Sequence, residues 1–174
     1  ETVLITGASG GVATAAVQIA KHLGATVHAV TSTPWLDRVR ELGADHVYDR
    51  TGEDWAKAVW QGTERRGVDV VFDSVGAAGF RSAARSLAKG GRMVVYGATT
   101  GPKAELDLRV VFWRQVELLG TTMATPSEFR AVMDLVFGGA LDPVVDVAWP
   151  LERAADAHRR LEAGESFGNM VLVP

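Results

Sequence analysis

Two hydrophobic periods alternate along this chain. TVLITG (2–7) is a short, continuous apolar run, the pattern of a strand buried on both faces. In the following segment Val12, Ala16, Ile19, Ala20 and Leu23 recur at helical spacing, and Gly24 stands where a helix C-cap belongs. ATVHAVTS is a second strand. Pro34 then opens a helix through about Leu42, ended by Gly43. DHVYD reads as a third strand, and a helix from about Glu53 to Trp60 leads to a fourth, VDVVFDSVG. GFRSAARSLA is helical and stopped by KGG. RMVVYGATTG is a fifth strand with a glycine-rich exit, residues 107–115 form a helical connector, and VELLGTTM is a sixth strand. Helices near 126–137 and 152–163 precede a last strand, NMVLVP.

Strands separated by helices require crossover connections, which are right-handed and build a parallel sheet. The expected fold class is α/β: a doubly wound, three-layer sandwich of Rossmann type around a mainly parallel six-stranded sheet. Residues 1–174 read as a single domain, without internal repeat, linker or low-complexity tract.

The chemistry sits where the first strand meets the first helix, in GASGGVA (7–13). Aligned to the phosphate-cradling pattern GxGxxG, residues 8–13 keep the middle glycine, Gly10, and replace the outer two by Ala8 and Ala13. A side chain at the middle position would keep a pyrophosphate off the backbone, whereas the third position needs only to be small. The helix would aim free N–H groups and its positive end at the phosphates. The same residues satisfy GxSxG, which would make Ser9 a nucleophile. That reading lacks an earlier strand to supply half an oxyanion hole, and its only late histidine, His158, lies in the polar segment AADAHRRLEAG. TGASGGVA also resembles the cofactor turn of short-chain reductases. Those enzymes need a tyrosine with a lysine four residues on, but Tyr48 is followed there by Gly52 and Tyr96 by Thr100.

An acid closing the second strand, ~20 residues past the turn, grips the ribose 2′-hydroxyl of NAD. Here that strand ends in Val30-Thr31-Ser32-Thr33, and no carboxylate follows until Asp37. Arg50 and Arg38 are the available cations. The pattern favours NADP(H) over NAD(H), with Arg38 assigned to a solvated helix face and Ser32 and Thr33 open to a plain N-cap role.

Composition narrows the picture. Net charge is −3 with no block of like charge, which argues against nucleic acid or an anionic membrane as the main partner. No apolar run is long enough to span a bilayer. The chain has no cysteine, which rules out thiolate catalysis and cysteine–zinc ligation within it. His22, His28, His46 and His158 are scattered, so no metal cluster is expected. The chain begins almost directly with a strand, and the expected compartment is the cytoplasm.

The segments GASGGVATAAVQIAKHLGATV, ELGADHVYDRTGEDW, GVDVVFDSVG, SLAKGGRMVVYG, ELLGTTM and AADAHRRLEAGESFGNMVL follow one another as in a known family. The chain resembles the nucleotide-binding domain of the medium-chain dehydrogenase/reductase superfamily, closest to its quinone-oxidoreductase-like branch and zinc-type alcohol dehydrogenase relatives. The resemblance implies an NADP(H)-dependent oxidoreductase moving hydride between nicotinamide and a carbonyl, alcohol or quinone. It implies that Ser9, Gly10, Gly11 and Val12 line the pyrophosphate, and that Ser32, Thr33 and Arg50 lie by the adenosine ribose. Val75 and Gly76 would border the ribose–nicotinamide side, Gly97, Ala98, Thr121, Thr122 and Met123 would flank the nicotinamide, and Asn169 would lie near the cofactor. The superfamily builds its substrate pocket and any zinc site on a separate upstream domain, which these residues lack, so the expected activity of the chain alone is binding with little or no turnover. No catalytic acid or base is assigned.

The resemblance departs at Ala13, usually glycine; at Pro34-Trp35-Leu36, where relatives often carry a cation; and at Arg50, often tyrosine. Relatives pair sheet edges into dimers, so VVFWRQVELLG is expected to form a homodimer edge, against the alternative that Phe112 and Trp113 fill the domain's own core. The competing readings are a nucleotide-binding or interaction module without chemistry, and a methyltransferase using S-adenosylmethionine, which usually carries the acid missing after the second strand.

Overall fold

The computed structural model describes residues 1–52 and 54–174. Glu53, where the pattern opens the third helix, lies outside the described residues. In chain order the elements are β1 (Thr2–Thr6), α1 (Gly11–His22), β2 (Thr26–Thr31), α2 (Leu36–Glu41), β3 (His46–Asp49), α3 (Trp55–Gly62), β4 (Val68–Asp73), α4 (Phe80–Arg85), β5 (Leu87–Val95), α5 (Leu108–Arg114), β6 (Glu117–Gly120), α6 (Pro126–Phe137), β7 (Val145–Pro150), α7 (Ala154–Glu162) and β8 (Asn169–Val173).

Six strands form one sheet in the order β3-β2-β1-β4-β5-β6, every pair parallel. The order reverses between β1 and β4. Crossovers of one hand therefore lay α1 and α2 on one face and α3, α4 and α5 on the other. Two buried clusters record this division. Ile5, Val27 and Ala29 of the sheet pack with Ala13 and Val17 of α1 and Val39 of α2. On the opposite face Leu4, Val30, Val68, Val71 and Met93 pack with Val59 of α3 and with Ala83 and Ala84 of α4. Strand residues alternate between the two clusters, so both faces of β1 and β2 are apolar, as a parallel sheet requires.

Local chemistry sets the element ends. Gly7 turns the chain after β1 with φ +61°, a conformation that costs a side-chain-bearing residue more. The Asp54 carboxylate caps α3 through the Lys57 amide. Thr125 and Glu128 form a reciprocal capping box at α6, with Pro126 at its first position.

Three boundaries differ from the pattern. A short 3₁₀ turn, Thr33–Trp35, precedes α2, because Pro34 fixes one backbone angle but cannot donate to a preceding turn. Helix α4 ends at Arg85, and KGG lies inside β5: Leu87 already pairs with Val68, and a register irregularity between Val68 and Val70 absorbs three extra residues of β5 in the stretch that holds the two glycines. Strand β7 (VDVAWP) has no counterpart in the sequence reading. It pairs in parallel with β8, so NMVLVP joins a separate two-stranded sheet instead of the main one.

His28 is buried in β2, paired across the sheet with His46. Their rings stack with centroids 4.4 Å apart, and the His28 Nδ1 lies 2.8 Å from the Tyr48 hydroxyl. Burial, reinforced by the neighbouring His46 and opposed by Asp45, depresses the His28 pKa to about 4, while burial raises Tyr48 to about 12. Above pH 6.5 His28 is neutral whether folded or not. As pH falls from 6.5 towards 4, only the unfolded chain takes up the proton, and stability is lost over that window. Urea melts from pH 7.5 to 4 are expected to show this loss, and His28→Phe is expected to flatten it.

Candidate functional site

Strands β1 and β4 are neighbours, yet the segments leaving them run to opposite faces of the sheet. In open parallel sheets such a reversal places the ligand-binding crevice outside the C-terminal ends of these strands. Its first wall is the glycine turn. The Ala8 amide donates to the Val30 carbonyl (3.0 Å) and the Gly10 amide to the Gly7 carbonyl (2.9 Å), so the turn is fixed on its own strands. Gly10 is the N-cap of α1, in extended conformation (φ −77°, ψ 157°). A Cβ there would meet only the Gly7 carbonyl oxygen, at 3.4 Å, so its outer face is open. Among the described residues, no acceptor meets the amides of Gly11, Val12 or Ala13. They are the orphan donors of a helix start, at the positive end of α1. Ala13 is buried against β1 and β2, where a small residue lets helix and sheet approach.

A segment far along the chain completes this wall. The Gly168 amide donates to the Ser9 carbonyl (2.8 Å), and Gly10 and Gly168 form an isolated parallel bridge. The Asn169 carboxamide therefore lies directly over Gly11: a Cβ on Gly11 would sit 2.6 Å from the Asn169 Cγ and closer still to its Oδ1. The Asn169 backbone amide and Nδ2 both donate to the Val144 carbonyl, which holds the side chain in place. The space beside Gly10 is thus open, whereas the side-chain space of Gly11 is filled by the Asn169 carboxamide.

The second wall is the pair of loops after β4 and β5, laced together by Thr99 N to Ser74 O (2.9 Å) and Thr100 N to Val75 O (2.9 Å). Gly76, at φ +73°, sits against Ala98 and Gly101, where a Cβ would lie 2.8 Å from the Gly101 carbonyl oxygen. Val75, Gly76, Gly97 and Ala98 therefore form one unit, and Val75 also approaches Gly7. Thr121, Thr122 and Met123 continue from β6 on the same edge, all exposed, with the Thr121 amide on the Val95 carbonyl (3.1 Å).

The far end of the crevice holds a group that the sequence pattern does not reveal. No acid closes β2, but the Asp49 carboxylate, at the end of β3, accepts from Thr33 Oγ1 (2.5 Å) and from the Thr51 amide (2.8 Å) and hydroxyl (2.7 Å). The Thr33 and Thr51 hydroxyls hold its pKa below the usual carboxylate range. Parallel pairing of β2 with β3 supplies this acid from the neighbouring strand, where inspection of β2 alone misses it. Ser32 caps the 3₁₀ turn beside it, so its N-cap position is observed, although its side chain makes no capping hydrogen bond. Arg50 is exposed and forms no ion pair among the described residues. Arg38 is not a plain solvated cation: its guanidinium lies 4.1 Å from the Phe167 ring centroid and 3.8 Å from Asp146.

A glycine turn opening a helix at the switch point of a doubly wound parallel sheet defines a dinucleotide-binding class of α/β domain. The comparisons make this particular. A family model for zinc-binding dehydrogenases matches residues 11–138, and the chain belongs to that family, within the medium-chain dehydrogenase/reductases. It is 32% identical to a 2-haloacrylate reductase of Burkholderia sp, over 99% of this chain and 55% of that protein. The crystal structure of an NAD-dependent alcohol dehydrogenase superposes with TM-score 0.94 at 40% identity, covering 100% of this chain and 51% of that one. The structure of the 2-octenoyl-CoA carboxylase reductase CinF in complex with NADP and 2-octenoyl-CoA matches with TM-score 0.91 at 28% identity, over 99% and 43%. The chain thus spans about half the length of these relatives. Zinc does not fit these residues: the chain has no cysteine, and the described residues contain no group of three or more His, Asp or Glu able to hold a metal.

Gly11→Ala is expected to destabilise the fold by about 1 kcal/mol through overpacking. Gly10→Ala is expected to leave the melting temperature nearly unchanged. Adding Asn169→Ala to Gly11→Ala should recover most of the loss in a double-mutant cycle by chemical denaturation.

Proposed function

We propose that this chain is the cofactor-holding part of an NAD(P)(H)-dependent oxidoreductase that moves hydride between nicotinamide and a carbonyl, alcohol or quinone. One observation carries the reading: three unpaired amides at the start of α1, unobstructed at Gly10, open into the crevice between β1 and β4. Ser9, Gly10, Gly11 and Val12 bind the pyrophosphate, through backbone donors and the helix dipole. Asn169 borders that site over Gly11. Val75 and Gly76 support the nicotinamide ribose, and Gly97, Ala98 and Thr121 to Met123 flank the ring. The bound nicotinamide supplies the hydride at its C4, and the protein's part is to hold and aim it. The substrate wall belongs to a part of the enzyme outside these residues.

NADP(H) is our reading of the preferred coenzyme. Arg50 stands at the ribose end, and the Asp49 carboxylate beside it is already engaged by two threonines. Related structures hold NADP, whereas related alcohol dehydrogenases are NAD-dependent. A cysteine-free chain suits the reducing cytoplasm, where we place it. We also read the β6 edge as a homodimer contact. Phe112 and Trp113 are 61% and 75% exposed rather than filling the core, and Leu118 and Leu119 of the edge strand are exposed beside them.

Thermal-shift scans test the cofactor. NADPH at a hundred times its dissociation constant is expected to add about 2.7 kcal/mol of stability. Arg50→Glu is expected to reduce the NADPH shift more than the NADH shift. S-adenosylmethionine is expected to give none; a shift with it alone would support the methyltransferase reading, and no shift with either dinucleotide would overturn ours. Analytical ultracentrifugation at micromolar concentration is expected to show a dimer that Trp113→Glu dissociates; a monomeric parent chain would reject the edge contact.

A further inference from the structure

We propose that Asp73 is a positioning residue for the dinucleotide, its buried carboxylate tying together the two walls of the crevice and fixing their separation. The proposal rests on the dinucleotide reading above and adds to it the group that sets the geometry of the site.

Asp73 closes β4 and is fully buried. Among the described residues it forms no ion pair. A carboxylate without a cation is costly to bury, so its partners must be hydrogen-bond donors. One oxygen accepts from Thr6 Oγ1 (2.5 Å), the last residue of β1, and the other from the Gly76 amide (3.1 Å). Ile5 pairs with Phe72 in register, so Thr6 and Asp73 are the next two residues along the neighbouring strands. Beyond them the chains part. Gly7 carries one towards α1 on one face, and Ser74 to Gly76 carry the other towards α4 on the opposite face. Backbone pairing between β1 and β4 runs as far as Ile5 and Phe72, and beyond it the Thr6–Asp73 side-chain bond bridges the strands where they begin to diverge.

The bridge reaches further than its own bonds. Gly76, held by Asp73, packs against Ala98 and Gly101, and the Ser74 and Val75 carbonyls accept from Thr99 and Thr100. The loop after β5 is therefore carried with the loop after β4. On the other side, Thr6 leads directly into the glycine turn. A single carboxylate is shared between the wall read as pyrophosphate-binding and the wall read as nicotinamide-binding. A molecule touching one wall does not sense their separation, but a dinucleotide laid across both does, and its affinity depends on that preorganisation. Asparagine replaces one of the two acceptor oxygens by an NH2 donor, which cannot accept from the Gly76 amide and can meet Thr6 Oγ1 only with that bond reversed and both bonds uncharged.

The test separates whole ligand from half. Parent chain, Asp73→Asn, Thr6→Val and Thr6→Ser are titrated with NADPH and NADH by nicotinamide fluorescence, and with ADP and 2′,5′-ADP by calorimetry. Asp73→Asn and Thr6→Val are expected to bind the half-ligands within about twofold of the parent and the preferred dinucleotide about tenfold more weakly, the scale of one lost charge-assisted hydrogen bond. Thr6→Ser keeps the hydroxyl and is expected to restore parental affinity. Equal weakening of half and whole ligands would reduce Asp73 to a structural role, and unchanged dinucleotide affinity would remove it from the site; either result overturns the proposal. If circular dichroism shows Asp73→Asn unfolded, the Thr6 pair decides by the same comparison. A parent chain that binds neither ADP nor dinucleotide would overturn the underlying cofactor reading, a result distinct from a parent that binds both while the variants do not differ.

Discussion

The handedness of strand–helix–strand connections is the constraint on which this structure depends. A right-twisted strand feeding a right-handed helix packs back onto its sheet in one sense only. Once β1 sends its chain towards β2 and β4 sends its chain towards β5, the departing segments must leave on opposite faces. The crevice between them is therefore a consequence of topology, existing before any side chain is chosen. What sequence decides is how the crevice is lined. Glycine at residue 10 leaves the helix start bare, and Gly7 supplies the turn that aims that start into the opening.

The same topology leaves surfaces incompletely covered. On the face carrying α1 and α2, the helices lie over β1, β2 and β3, while Val70 and Phe72 of β4 border an open groove with Ala16, Ile19 and Ala20 of α1. Strand β6 is exposed along its length. The sheet of β7 and β8 has only two strands, with Val145, Val171 and Leu172 exposed, and two strands alone are marginal in water. All three regions are apolar and partly unpacked.

Legibility in the sequence followed the range of the interaction. The six main strands and their helices were readable because each is declared by a local period, and parallel order followed from the spacing of those elements. The glycine turn was readable for the same reason, as a feature of consecutive residues. What escaped was long-range. KGG punctuates a helix by composition, yet it lies within β5 because Leu87 finds Val68 across the sheet. VDVAWP carries a strand period over few residues and ends in proline, and only β8 makes it a strand. Gly11 reads from the sequence as one more residue of the turn, but the space beside it is filled by Asn169, more than a hundred and fifty residues away. Asp49 was invisible for a related reason: a rule that inspects the end of β2 does not see the strand beside it.

Asp49 also changes how charge at the ribose end must be weighed. A free carboxylate there would accept ribose hydroxyls and repel a 2′-phosphate. This one already receives the Thr33 hydroxyl and two donors from Thr51, so its acceptor capacity is largely turned inward. Its charge still acts on neighbours, but in an exposed position that action is screened by water and salt. Arg50 follows it directly in sequence and points no ion-pairing contact at it. Under the dinucleotide reading proposed above, the carboxylate that precedes Arg50 is thus occupied by two hydroxyls and a backbone amide, while Arg50 itself carries its charge without an ion pair among the described residues, so the two do not cancel by direct contact.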